Sequence, residues 1–262
     1  MTDYSAAIGL NAKDSDSYAN RGSCYQHLGQ NQLAIADFDR ALRLNPDDDI
    51  AHLDRAAVLL RLHHDARALD DLNAAVRLRP NDGEVYATRA ATYEALGNDA
   101  ASIDDTTRAL DLHADDADTL RFHRGLMEFH LRRLDEAQAD FKQLVDEQPV
   151  SDLTGAAAAW LHASDHRLGL DDSSHLLVRA SQLGSQWPAP LLRYLAGRVS
   201  REELLGAAHS GEQRCEAHMG IGVVEIAAHT GRDAQELAAL RDCAPQPPDR
   251  RRPSGVPDED GW

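Results

Sequence analysis

The sequence repeats itself every 34 residues, and this period limits the folds open to the chain. Tyr18, Arg21, Gly22, Tyr25, Leu28, Gly29, Ala34, Phe38, Ala41, Leu44 and Pro46 recur one period later as His52, Arg55, Ala56, Leu59, Leu62, His63, Ala68, Leu72, Ala75, Leu78 and Pro80. A further period gives Tyr86, Arg89, Ala90, Tyr93, Leu96, Gly97, Ser102, Thr106, Ala109, Leu112 and Ala114. Self-similarity of this length marks a stacked array of helix pairs, in which no unit buries its apolar face alone. Small residues at 22, 56 and 90 let two helices approach closely, and Tyr25, Leu59 and Tyr93 fill the space between them. Gly29 and Gly97 stand where the first helix stops, the usual place of a left-handed cap.

A fourth unit follows one residue out of phase, with Arg124, Gly125, Leu131, Ala137, Phe141, Leu144 and Pro149; this register puts Glu128 where an aromatic is expected. At the other end, Asp3-Tyr4-Ser5-Ala6-Ala7-Ile8 mirrors Asp37-Phe38-Asp39-Arg40-Ala41-Leu42. The chain therefore opens on the second helix of a unit, and a start lying upstream would supply the first.

The pattern Tyr18-x-x-Arg21-Gly22-x-x-Tyr25, Ala34-x-x-x-Phe38, Pro46 resembles the tetratricopeptide repeat (TPR) signature, with Arg21 where leucine is usual. The resemblance implies an all-α, right-handed α-solenoid of stacked helix-turn-helix units with a C-terminal helical extension. On this reading residues 1–14 hold the second helix of an incomplete TPR, and four units span 15–48, 49–82, 83–116 and 118–151. A helical spacer over 152–210, a degenerate TPR-like helix pair over 211–245 and a disordered tail over 246–262 complete the chain. Thr154 to Leu168, Ser173 to Leu183 and Leu191 to Ala196 read as helices, with a break at Trp187-Pro188-Ala189-Pro190. Ser200-x-x-Glu203 reads as a capping box, and a further helix begins at Cys215. Trp160-Leu161, Trp187-Pro188-Ala189-Pro190, Leu195-Ala196-Gly197 and Cys215-Glu216-Ala217 are similar to the C-terminal half of a group of bacterial TPR proteins that includes an outer-membrane lipoprotein acting as an adaptor. The chain departs from that group in Met219-Gly220-Ile221-Gly222, where an aromatic-rich helix is expected, which predicts poor packing there.

Composition narrows the function classes. A formal net charge of −17 argues against nucleic acid and anionic membranes as partners, because phosphate binding needs a basic surface. No apolar run approaches the roughly 20 residues needed for membrane insertion as a spanning helix. As the sequence stands it reads as cytoplasmic; a start lying upstream would allow a periplasmic or envelope-associated protein. Cys24, Cys215 and Cys243 are too scattered for a disulfide framework or a zinc motif. Asp47-Asp48-Asp49 and Asp115-Asp116 fall at helix starts, where carboxylates act as caps and complement the macrodipole. No phosphate-binding loop, nucleophile elbow or metalloprotease motif occurs, so no enzyme activity, cofactor or metal is expected.

Arg21, Arg55, Arg89 and Arg124 hold one place in the first helices; Asp37, Asp71, Asp105 and Asp140 follow sixteen residues later in the second. The spacing predicts an Arg–Asp pair within each unit.

In TPR proteins the first helices line a concave groove that takes peptides. Carried over by register, the groove holds Asn20, Ser23 and His27, then Leu53, Asp54, Ala57, Leu60 and Arg61, then Ala91 and Glu94, then Phe122, His123, Leu126 and Phe129. Leu53, Ala57 and Leu60 share one helix face, as do Phe122, Leu126 and Phe129. The expected function is a scaffold or adaptor binding an apolar or basic peptide segment of a partner protein. The alternative is a structural or self-associating subunit, homodimer included, whose groove is closed by its own C-terminal helices.

Overall fold

The structure, a computed structural model, describes residues 1–146, 153–171 and 173–227. It divides into two compact units, residues 1–169 and residues 170 onward. The first holds α1 (Thr2–Leu10), α2 (Ser15–His27), α3 (Asn31–Leu44), α4 (Asp49–Arg61), α5 (Asp65–Leu78), α6 (Gly83–Ala95), α7 (Asp99–Asp111), α8 (Ala117–His130), α9 (Leu134–Asp146) and α10 (Thr154–Leu168). No strand occurs among the described residues.

Helix starts and stops follow the repeat. Asp14, Asp48 and Asp82, one period apart, cap α2, α4 and α6 by accepting from the backbone N–H of Ser17, Ala51 and Glu84 at 3.2, 2.9 and 3.1 Å. Asp116 stands at the same place before α8 but is left-handed (φ 55°) and makes no side-chain cap bond. The side-chain capping expected of Asp116 is therefore absent, and α8 is one residue longer than α6. First helices end on left-handed residues: Gly29 and Gly97, both at φ 71°, and in the other units His63 (φ 56°) and Arg132 (φ 63°). A side chain in this conformation costs about 1–2 kcal/mol, so those two turns are less stable than the glycine turns.

Second helices bury one stripe. In α3 it is Ala34, Ile35, Phe38, Ala41 and Leu42, the spacing of a helix facing a core. Phe38 lies so close over α2 that a Cβ at Gly22 would meet its ring at 2.9 Å, and a Cβ at Gly125 would meet Phe141 at 2.8 Å. Units with alanine there, Ala56 and Ala90, carry the smaller Leu72 and Thr106 opposite. Size is matched across each helix pair.

The arginines tie the array together. Arg21, Arg55, Arg89 and Arg124 each donate through Nε and Nη2 to both carboxylate oxygens of Asp37, Asp71, Asp105 and Asp140, at 2.6–2.8 Å. The remaining nitrogen, Nη1, reaches the second helix of the preceding unit: Ser5 at 3.2 Å, Asp39 at 2.6 Å, Asn73 at 2.9 Å and Thr107 at 3.1 Å. One side chain thus joins three helices. In two units it is sandwiched by aromatics, Arg21 over Tyr18 and Tyr25, and Arg89 over Tyr86 and Tyr93, at 5.6–5.9 Å.

The second unit holds α11 (Ser173–Leu183), α12 (Ala189–Leu195), α13 (Arg201–Ala207) and α14 (Gly211–Ala227). Ser200 and Glu203 form the expected capping box. The last helix starts four residues earlier than Cys215, because Ser210 accepts from the Gln213 N–H at 3.0 Å while Gln213 accepts from the N–H of His209 and Ser210. Gly220 lets the side chain of Leu191 of α12 occupy the space where a Cβ would stand, and Ala217, Ile221 and Val223 are buried. Small residues, which predicted poor packing, here allow close packing. The rest of the expected helix pair over 211–245, from residue 228 on, and the tail lie outside the described residues.

Replacing Arg89 with methionine leaves Asp105 buried without its partner, and should lower unfolding stability in urea by about 3–5 kcal/mol. Arg108→Met, on the exposed side of α7, is expected to change it by less than about 0.5 kcal/mol.

Candidate functional site

Positions 16, 20, 23 and 27 of α2 share one helix face, and the period carries them onto α4, α6 and α8. On this face Asn20, His27, Ala57, Arg61 and Ala91 are exposed. Asn20 donates to the Asp16 carbonyl at 2.8 Å, and the His27 ring sits 2.7 Å from the Ser23 carbonyl. Ser23 is half-buried and donates to Asp54 at 2.6 Å, joining α2 to α4. Leu53 and Leu60 are half-buried against the core cluster of Phe38, Ala56, Leu59 and Leu72. They form the floor of the face and do not project from it. Ile50, an apolar residue at the start of α4, is 58% exposed. Acidic Asp16, Asp54, Glu84 and Glu94 lie along α2, α4 and α6, against the single arginine Arg61.

The fourth unit departs from the expected groove. Phe129 is buried, its ring 5.1 Å from Trp160 of α10 and capped by the Arg167 guanidinium at 4.2 Å. Phe122 is half-buried edge-on to Phe141 at 5.9 Å, and Phe141 stacks on Trp160 at 6.4 Å. Phe129 is therefore a core residue and does not face the groove, because the alanine-rich α10 packs closely on α9 and brings Trp160 onto it. Leu126 is half-buried beside them. His123 remains exposed, 3.2 Å from both Glu94 carboxylate oxygens, and links α8 to α6. The open face belongs to the first three units.

Two titratable groups stand where the repeat places aromatics. His52 takes the position of Tyr18 and Tyr86. Its Nδ1 meets Asp71 at 2.7 Å and its Nε2 meets the Pro46 carbonyl at 3.0 Å. The second contact has the same place as the hydroxyl of Tyr86, which donates to the Pro80 carbonyl. Both ring nitrogens face acceptors, so the ring is a double donor, and the hydrogen bond to Asp71 raises its pKa above the ordinary value. Burial works against the charge on Asp71, but bonds from Arg55 and His52 outweigh it and hold the carboxyl below the usual range. Glu128 takes the position of Tyr25 and Tyr93. Its Oε2 is buried with no hydrogen-bond partner, and burial, with Asp140 nearby, raises its pKa to about 7 against the pull of Arg124. The period made the His52 and Glu128 substitutions visible, but not what they would touch. Trp160 carried no signal of its contact with Phe129, which is set by how α10 packs.

Among the described residues, no group of three His, Cys, Asp or Glu side chains is placed to hold a metal ion. No described helix is long and apolar enough to cross a membrane.

The pH dependence of stability follows from these groups. A histidine raised above its unfolded value of about 6.5 stabilises fully below that pH, and the contribution is lost as pH rises through the folded pKa. His52→Tyr should remove that alkaline loss, on the order of 1–3 kcal/mol, in urea unfolding followed between pH 5 and 9. Glu128 costs stability as pH rises from its unfolded value of 4.5 through about 7. Glu128→Gln is therefore expected to stabilise the protein at pH 8 by about 2–3 kcal/mol and to change little at pH 4.

The family model of the tetratricopeptide repeat matches residues 15–48. Among solved structures, YrrB, a TPR protein with an unusual peptide-binding site, is 19% identical over 75% of this chain and 98% of its own, with a TM-score of 0.58. A tetratricopeptide repeat protein from Parabacteroides merdae is 14% identical over 88% of this chain and 93% of its own, with a TM-score of 0.57. MamA is 16% identical over 66% of this chain and 95% of its own, with a TM-score of 0.55. No curated protein sequence matches the chain. The 34-residue period, the stacked helix pairs and these likenesses agree on the fold: residues 15–48 match the tetratricopeptide repeat, and the helix pairs stack as in the TPR solenoids.

Proposed function

We propose that the chain is a protein-interaction scaffold that takes a peptide segment of a partner along the first-helix face of α2, α4 and α6. The observation that carries this reading is the uncovered strip of small residues, Ala57 and Ala91, bordered by Ile50 and by Asp16, Asp54, Glu84 and Glu94. Small side chains leave room for a backbone to lie close. Ile50 and the partly exposed edges of Leu53 and Leu60 supply apolar contact, and the acids favour lysine or arginine in the ligand. A segment alternating apolar and basic residues fits this surface best. YrrB, which shares the fold, has a peptide-binding site, and this supports a peptide as the ligand class.

The second reading, a groove closed by the chain's own helices, is favoured only at the fourth unit. There Trp160 and Arg167 cover Phe129. That closure ends the face without filling it at the first three units.

Ala57→Arg with Ala91→Arg adds bulk and positive charge at two exposed positions and leaves the core untouched. Peptides selected from a random display library on the unmodified protein should be rich in apolar and basic residues. They should bind the double variant at least about tenfold more weakly, and bind the unmodified protein less tightly as salt rises. Equal binding to both proteins, with circular dichroism showing both folded, would place the ligand elsewhere.

A further inference from the structure

The place held by Tyr25, Leu59 and Tyr93 in the first three units holds Glu128 in the fourth. The residue is 6% exposed, and its Oε2 has no hydrogen-bond partner. A carboxyl in such a place is tolerated uncharged and is costly charged.

The charges around it sharpen that difference. On its own helix Arg124 stands one turn back, at the i, i+4 spacing of an ion pair. That arginine is already engaged: Nε and Nη2 donate to Asp140 of α9 at 2.7 and 2.6 Å, and Nη1 donates to Thr107 of α7 at 3.1 Å. From α9, the buried Asp140 and the exposed Glu136 both oppose a charge on Glu128. Arg133, in the turn between α8 and α9, favours it, with the smallest of these effects. On the side of α7, the charge of Asp111 acts on Arg124. Helix α10 lays Trp160 and Arg167 on Phe129, the next residue of α8, and ties its Asp165 to Gln138 of α9. Once Glu128 ionises, one guanidinium serves two buried carboxylates. Either Glu128 stays unpaired, or it draws Arg124 away from Asp140 and Thr107.

In a stacked array such a cost falls on the unit that bears it, because each unit contacts only its neighbours. We propose that Glu128 is a proton-operated latch on the α8–α10 end of the array. Uncharged, it lies packed in the fourth unit, and the cluster of Phe129, Phe141 and Trp160 stays closed. Without its proton it loosens α8, α9 and α10 together while α2 to α6 keep their structure. The direction follows from the two states. In the open form Glu128 is solvated and ionises at its ordinary value of 4.5, whereas packed it keeps its proton up to about 7. Opening therefore releases a proton, becomes easier as pH rises between those values, and is independent of pH above the higher one.

The test is hydrogen–deuterium exchange by mass spectrometry on the full chain between about pH 5 and 8, with labelling times scaled for the intrinsic pH dependence of amide exchange. Peptides from α8, α9 and α10 should lose protection by about tenfold or more as pH rises to about 7, and change little beyond it. Glu128→Gln should remove that loss. Glu128→Leu, which restores the residue type of Leu59, should remove it too and guards against an effect of the glutamine amide. Peptides from α2 to α6 should behave alike in all three proteins. Three results would overturn the proposal. One is equal protection of α8 to α10 across the pH range in the unmodified chain, and another is a loss that both variants retain. The third is a difference between the unmodified chain and the variants spread evenly over α2 to α10, which would mean unfolding of the whole array and no latch.

Discussion

An arginine shared by three helices sets the geometry of the first unit. Its guanidinium has a fixed fork: Nε and one terminal nitrogen match the two oxygens of a carboxylate, and the other terminal nitrogen points the opposite way. The repeat uses both directions. The paired prongs close each unit on its own aspartate, and the third reaches back to Ser5, Asp39, Asn73 or Thr107 of the unit before. Apolar stripes bring helices together without fixing their sliding or rotation. A planar donor with three bonds fixes both, and it does so at a half-buried depth where losing one partner strands the other.

Size matching is the second constraint, and it explains how the units vary while keeping one spacing. Glycine opposes phenylalanine at 22/38 and 125/141, and alanine opposes a smaller residue at 56/72 and 90/106. The aromatic flanks of the arginine are the more variable part. In the unit of Arg55 they become His52 and Leu59, and the lost ring contacts are replaced by a bond from His52 to the same aspartate and by a carboxylate, Asp39, on the third prong. In the unit of Arg124 the inner flank becomes Glu128, and nothing replaces the ring: a buried oxygen is left without a donor. Both substitutions lower stability as pH rises, one by losing a charge it needs and the other by gaining a charge it cannot solvate.

Most of the array was legible because its determinants are periodic. The repeat carried the helix pairs, the aspartate cap within 47–49, the glycine turns at 29 and 97, and the Arg and Asp positions sixteen residues apart. Even the third prong had a signal, since Ser5, Asp39 and Asn73 stand sixteen residues before their arginines. What was not legible came from contacts outside the period. Trp160 converts Phe129 from a groove residue into core, and no spacing within α8 reveals what α10 will lay over it. The left-handed Asp116 breaks the series of aspartate caps at a position one exact period after Asp82. Gly220 looked like a packing defect until Leu191, in a different helix, was found against it.

The aromatic end of the first unit bears on function. Repeat arrays need their terminal faces closed, because each internal unit relies on a neighbour to cover its apolar side. At one end, Phe122, Phe129, Phe141 and Trp160 form an aromatic cluster that spends the fourth unit's potential ligand residues on closure. At the other end, α1 supplies Ser5 to Arg21, the first arginine of the series, as Asp39 and Asn73 serve the next two. The closure at α10 therefore leaves the open first-helix face to α2, α4 and α6.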